Sequence, residues 1–199
     1  MAIDPSQFHP HNVADTCAVW NVLSSQLLYS AARDAGCGFC LTSFVRYECL
    51  IKSRKKEDKH DQELQRRLNT AVQQKQIESY SIDIGDLQEV IVLENRKRVS
   101  KGELSSIAFA KKTRQAFLTD DQGARKLADL SLDRRMVQTT PHLFGWLFFQ
   151  GKLLDGDKQT VIDQHKEVGR PLEKYFEQMY GTALSYRLMA LIPCAVNAE

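Results

Sequence analysis

Five carboxylates are the residues of this chain best suited to chemistry: Asp15, Glu48, Glu103, Asp120 and Asp121. Each stands where a short apolar segment meets a helical pattern, or early in a helix. Carboxylates that converge without basic partners repel one another, so such a cluster is costly unless a cation neutralises it. The cation that suits hard oxygen donors, retained waters and phosphate oxygens is Mg²⁺ or Mn²⁺. An ion of that kind can orient water for in-line attack on phosphorus, and the chemistry expected is phosphodiester hydrolysis. Thr16, beside the first acid, and Arg125, in the helix after the acidic pair, are candidate supporting residues that could orient an acid or pair with one.

Each acid also has a purely structural role open to it. Asp15 can cap the helix that starts near Thr16. Glu48 can pair with Lys52 one helical turn on. Glu103 completes an SxxE capping box with Ser100, and one member of Asp120–Asp121 can cap the helix at Gln122 while its neighbour faces an ion. Either aspartate can be the fourth ligand. The CGFC stretch of residues 37–40 reads as strand, without the helix start of a redox CxxC or the further ligands of a zinc site. The histidines at 9, 11, 60, 142 and 165 lack any HExxH-type spacing and read as packing or surface residues.

The elements that must position these acids alternate between strand and helix. A segment Asn12–Ala14 reaches Asp15 and leads into a helical pattern that runs to Gly36. Cys37–Leu41 alternates as a strand, and Thr42 or Ser43 caps the helix carrying Phe44, Tyr47, Glu48 and Ile51. A charged, solvated helix is expected over residues 59–76, then a strand at Ile77, Tyr80 and Ile82, then helical spacing at Leu87, Val90, Ile91 and Leu93. The capping box opens a helix through Ala110, Ala116–Thr119 is a strand ending in the acidic pair, and residues 123–130 are helical. Met136–Thr139 is the last strand, Leu143–Phe149 an apolar helix after Pro141, and the remainder from about residue 158 is helical. Such alternation predicts a mainly parallel sheet covered on both faces, with functional groups at the carboxyl ends of its strands.

With 199 residues, 43% of them hydrophobic and 26% charged, the chain can bury one sizeable core. No uninterrupted apolar run approaches a membrane span, since the longest, residues 183–196, contains Arg187. The opening MAIDPSQFHPHN has neither the basic nor the apolar region of a secretory signal, and the five scattered cysteines suggest reduced thiols, so a cytoplasmic location is expected. A formal net charge of +2 conceals basic clusters at 52–56, 96–98 and 111–114, which favour a polyanionic partner. No GxGxxG, GxxxxGK[ST] or GxSxG motif points to a different phosphate or acyl chemistry.

The stretch GELSSIAFAKKTRQAFLTDDQGARKLA, residues 102–128, resembles the second half of the PIN domain: a Gly-Glu opening an alanine-rich helix, a strand delivering an acid, and an AR-containing helix. VADTCAVWNVL, residues 13–23, is similar to the family's opening strand, acid and following Thr, as in VapC-type toxins. TSFVRYECL (42–50) resembles its second acidic helix and PHLFGWLFFQGKL (141–153) its late glycine-containing helix. The resemblance implies a Rossmann-like, three-layer α/β/α fold over residues 10–155, with residues 156–199 a helical C-terminal extension of the same fold. It also implies metal-site acids at Asp15, Glu48, Glu103 and Asp120 or Asp121, Mg²⁺ or Mn²⁺ as cofactor, and single-stranded RNA as substrate. Ser105 stands where many relatives carry a further acid, and the region beyond residue 155 exceeds what compact toxins need, leaving it for a partner surface or homodimer contact.

The expectation is therefore a metal-dependent endoribonuclease, with lysines and arginines around 52–56 or 96–101 holding the nucleic-acid backbone. A toxin-type member has an antitoxin partner that blocks its pocket. The alternative is a PIN-like RNA- or protein-binding module whose shortened acid set does not support turnover.

Overall fold

A computed structural model describes residues 4–52, 58–83, 85 and 99–191. Five short strands form its framework: β1 (His11–Ala14), β2 (Gly38–Thr42), β3 (Ile77–Tyr80), β4 (Ala116–Leu118) and β5 (Val137–Gln138). All four pairings are parallel and the order is β3-β2-β1-β4-β5, so the first strand of the chain is the central one. Parallel neighbours require crossovers, and the helices supply them.

Along β1, β2 and β4, successive side chains point to opposite faces, as the period of two demands. Val13, Cys40 and Phe117 enter one apolar cluster; Ala14, Phe39, Leu41 and Leu118 enter the other. The smaller cluster is completed by Ile107 and Ala110 of α5 (Lys101–Thr113) and by Ala124, Leu127 and Ala128 of α6 (Gln122–Ala128). The larger draws on α1 (Thr16–Ser24), α2 (Gln26–Asp34), α3 (Ser43–Leu50) and α4 (Lys59–Gln73). It also takes in α7 (Thr140–Phe149), α8 (Asp157–Glu167) and α9 (Glu173–Leu191). The result is three layers, a parallel sheet between two sets of helices.

The helices after residue 155 are built into the larger layer. Phe176 of α9 lies 4.6 Å, centroid to centroid, from Phe144 of α7, and Tyr180 lies 5.0 Å from Phe148. Gly145 lets α9 come this close, because a Cβ there would meet the Met179 methyl at 2.9 Å. Burying such side chains contributes roughly 1.5–3 kcal/mol each.

Two sequence expectations change. The single helix expected as far as Gly36 is two, because Ser25 adopts extended backbone and its hydroxyl caps Leu28 at 3.1 Å to restart the helix as α2. The charged helix α4 is amphipathic rather than solvated all round: Leu64, Leu68 and Ala71 are buried in the larger cluster. The helical spacing at Leu87–Leu93, the basic residues at 54–56 and 96–98, and Cys194 lie outside the described residues. Among the described residues, no helix is long and apolar enough to cross a membrane.

Candidate functional site

In an all-parallel sheet every strand ends on the same edge, and a crevice opens where the strand order reverses direction. Here that point lies between β1 and β4, and the Asp15 amide donates to the Leu118 carbonyl across it at 3.2 Å. Asp15 follows β1 directly and is completely buried. One of its oxygens accepts from the Ala18 amide at 2.7 Å, capping α1, and the other accepts from the Thr119 hydroxyl at the end of β4. Thr119 in turn accepts from the Asp121 amide at 3.1 Å.

The acidic pair after β4 divides its work. Asp121 is the N-cap of α6, accepting from the Ala124 amide at 2.7 Å through one oxygen; the other takes no hydrogen bond among the described residues. Asp120 reaches across the crevice. It accepts from the Thr140 amide at 2.9 Å, the Thr140 hydroxyl at 2.6 Å and the Asn21 side-chain amide at 2.8 Å, tying β4 to α7 and α1.

Glu48 arrives from α3, which Thr42 caps at the end of β2. Its Oε2 accepts from the Thr16 hydroxyl at 2.7 Å, and its Oε1 lies 3.4 Å from the Gly102 amide of α5. Glycine leaves room for the carboxylate in this position, since a Cβ on residue 102 would stand 2.5 Å from Glu48 Oε2. Gly102→Ala is therefore expected to push the flexible glutamate aside, at a cost of no more than about 1 kcal/mol in urea-induced unfolding. Any activity that depends on Glu48 should fall at least tenfold, roughly the effect of disturbing a supporting contact in a metal site; an unchanged rate would exclude Glu48 from the site.

Glu103 does complete the capping box: its Oε2 accepts from the Ser100 amide at 2.6 Å, and the Ser100 hydroxyl accepts from the Glu103 amide at 3.2 Å. Ser105, where an acid was expected by resemblance, is fully buried and bridges the Gly102 carbonyl and the Thr42 hydroxyl, each at 2.7 Å. Arg125 pairs with none of the acids, and its Nε is buried without a hydrogen-bond partner among the described residues.

Electrostatics join the five acids into one field. Burial pushes the Asp15 carboxyl up to about 7; the Thr119 and Ala18 hydrogen bonds oppose that rise, and the charges of Asp120 and Glu103 add to it. Glu103 is raised too, by burial first and then, against its Ser100 hydrogen bond, by Asp121 and Glu48. Cys17, one residue into α1, is held up at about 12 by burial and by Asp120 and Asp15. Among the described residues none of the five acids forms an ion pair with lysine or arginine.

No family model, curated protein or solved structure matches the chain. What it can do is written in its own side chains. Anionic oxygens from β1, α3, α5 and the loop after β4, short of positive charge, are chemically suited to a hard divalent cation. Their present arrangement is looser than a closed ligand shell: among the described residues no three Asp, Glu, His or Cys side chains are grouped to hold an ion. Protein donors hold most of the oxygens instead.

Sequence reasoning passed over Thr119, Asn21 and Thr140, and took Gly102 only as the glycine of the Gly-Glu that opens α5. Asn21 alone left a signal, a polar residue within the apolar run Ala18–Leu23 of α1, all of it buried. Cys37 and Cys40, considered for thiol chemistry, enter different clusters on the two faces of the sheet, and burial pushes both thiols up to about 12, far from a reactive thiolate.

Proposed function

We propose that this chain is a metal-dependent endoribonuclease of the PIN type, hydrolysing phosphodiester bonds of single-stranded RNA. The observation that supports this reading is Asp15 beside the β1–β4 switch point, raised to about 7 chiefly by burial and further by Asp120 and Glu103, while Glu103 in turn feels Asp121 and Glu48. Repulsion and desolvation among these carboxylates oppose folding, and the helix caps and hydrogen bonds they accept offset that cost while leaving negative charge for a cation to neutralise.

Asp15, Asp120, Glu103 and Glu48 would hold Mg²⁺ or Mn²⁺, with Asp121 adding its unengaged oxygen. The cation would supply Lewis acidity toward phosphate oxygens and offset the charge of both cluster and substrate. The chain's own residues set the geometry. Thr119 and the Ala18 amide fix the rotamer of Asp15, Asn21 and Thr140 fix Asp120, and Thr16 holds Glu48 over Gly102. Side chains oriented by a second set of donors need little reorganisation when charge develops.

A second reading, a PIN-like RNA-binding module without turnover, draws on the engagement of these oxygens by protein donors and on Ser105 in place of an acid. One assay separates the two. Purified protein with Mn²⁺ is expected to cut an unstructured, end-labelled RNA, and EDTA is expected to stop it. RNA binding with no cleavage across Mg²⁺ and Mn²⁺ would favour the module.

A further inference from the structure

Beside the acid cluster, on its α3 side, lies a groove of about 710 Å³ bounded by Phe44, Tyr47, Glu48, Lys52, Val99 and Lys101. Its size falls within the roughly 300–1,000 Å³ of small-molecule sites. Its composition is unlike the acid crevice: two aromatic rings line it, a lysine stands at the end of α3 and another opens α5. Tyr47 is 50% exposed although it lies on the same helix as the buried Val45 and Cys49. Helical periodicity brings Phe44, Tyr47 and Glu48 onto one face, so the aromatic pair and the acid share a single stripe.

We infer that this groove is a nucleotide subsite, in which the base of one unpaired nucleotide stacks on Tyr47 while Lys52 and Lys101 hold the flanking phosphates. Three features select that occupant. A half-exposed aromatic ring offers a stacking platform that accepts any base, whereas a base already paired in a duplex cannot reach it. Two lysines from different elements of the groove, Lys52 after α3 and Lys101 at the start of α5, suit the repeated anionic charges of a nucleic-acid backbone. Glu48 belongs to both the groove and the cluster, so a strand bound here passes directly to the acids. The inference rests on the proposed nuclease reading and deepens it: the substrate is chosen for an unpaired base next to the bond that is cut.

Binding is measured in EDTA, where no cleavage occurs, by fluorescence anisotropy of a labelled, unstructured pyrimidine RNA at low salt. Tyr47→Ala is expected to weaken binding about tenfold and Tyr47→Phe to leave it within about twofold, since the ring and not the hydroxyl carries the stacking. Scanning an abasic nucleotide along the RNA should reveal one position that costs the wild-type protein about the same factor and costs Tyr47→Ala nothing further. Wild-type affinity in Tyr47→Ala, an equal loss in Tyr47→Phe, equally tight binding of the corresponding duplex, or no RNA binding by the wild-type protein would each overturn the inference. The cleavage assay decides the parent reading separately. A protein that binds through Tyr47 but never cuts keeps the groove and loses the nuclease, and one that cuts while Tyr47→Ala binds normally does the reverse.

Discussion

Asp15→Asn is expected to abolish RNA cleavage and to make the metal-free protein more stable at pH 8. Both effects come from one buried carboxyl. In the folded chain it titrates at about 7, against an ordinary value of 3.8. Between those values the folded state keeps a proton that the unfolded state has released, so stability falls as pH rises from about 4 to 7 and then levels off. A shift of that size corresponds to about 4 kcal/mol. Asparagine retains an oxygen for the Ala18 amide and carries no charge to bury, so the variant should escape this loss. Urea unfolding in EDTA at pH 5 and pH 8 measures the effect: the gain from the substitution should be large at the higher pH and small at the lower. Added Mn²⁺ should stabilise the wild-type protein at pH 8 more than the variant. Cleavage should drop by at least about 10²-fold, the scale of removing one charge that stabilises the transition state. If the variant cuts at the wild-type rate, the cluster is not the reaction centre.

Asp120→Ala should behave in the opposite sense toward stability while sharing the loss of cleavage. Its carboxylate accepts three hydrogen bonds that link β4 to α1 and α7, and truncation leaves the Thr140 amide, the Thr140 hydroxyl and the Asn21 amide without their acceptor. Hydrogen bonds to charged groups contribute about 1.5–3 kcal/mol, and orphaned partial burial adds to the cost, so a loss of about 2–4 kcal/mol is expected in urea unfolding, with or without EDTA. Cleavage should again fall by about 10²-fold or more. An Asp120→Ala protein as stable as the wild type would mean that water replaces the carboxylate at this junction. The pair of variants thus separates an acid that the fold tolerates from one that the fold uses.

What could be read from the sequence were the local relationships. The capping box of Ser100 and Glu103, the cap at Asp15 and the alternation of strand and helix all lie within a few residues of chain, and the structure shows each. The break at Ser25 escaped because the apolar spacing continues through it, and only a backbone turn with a serine cap marks the join. Thr119, Asn21 and Thr140 escaped for a different reason. Their partners are 104, 99 and 20 residues away, and an ordinary threonine or asparagine gains meaning only when folding brings an acid to it. Gly102 makes room for the carboxylate of another helix, and Tyr47 looked like one more apolar position until its exposure set it apart.

The central place of β1 bears on how the molecule comes into being. The two edges of this strand are covered only once β2 and β4 have been made, and β4 lies about a hundred residues beyond β1. Asp120 then waits for Thr140, and the helices beyond residue 155 must still close over Phe144 and Phe148. A nascent chain, surrounded by RNA on the ribosome, therefore keeps Asp15 and Asp120 without their partners until the chain has been made past Thr140.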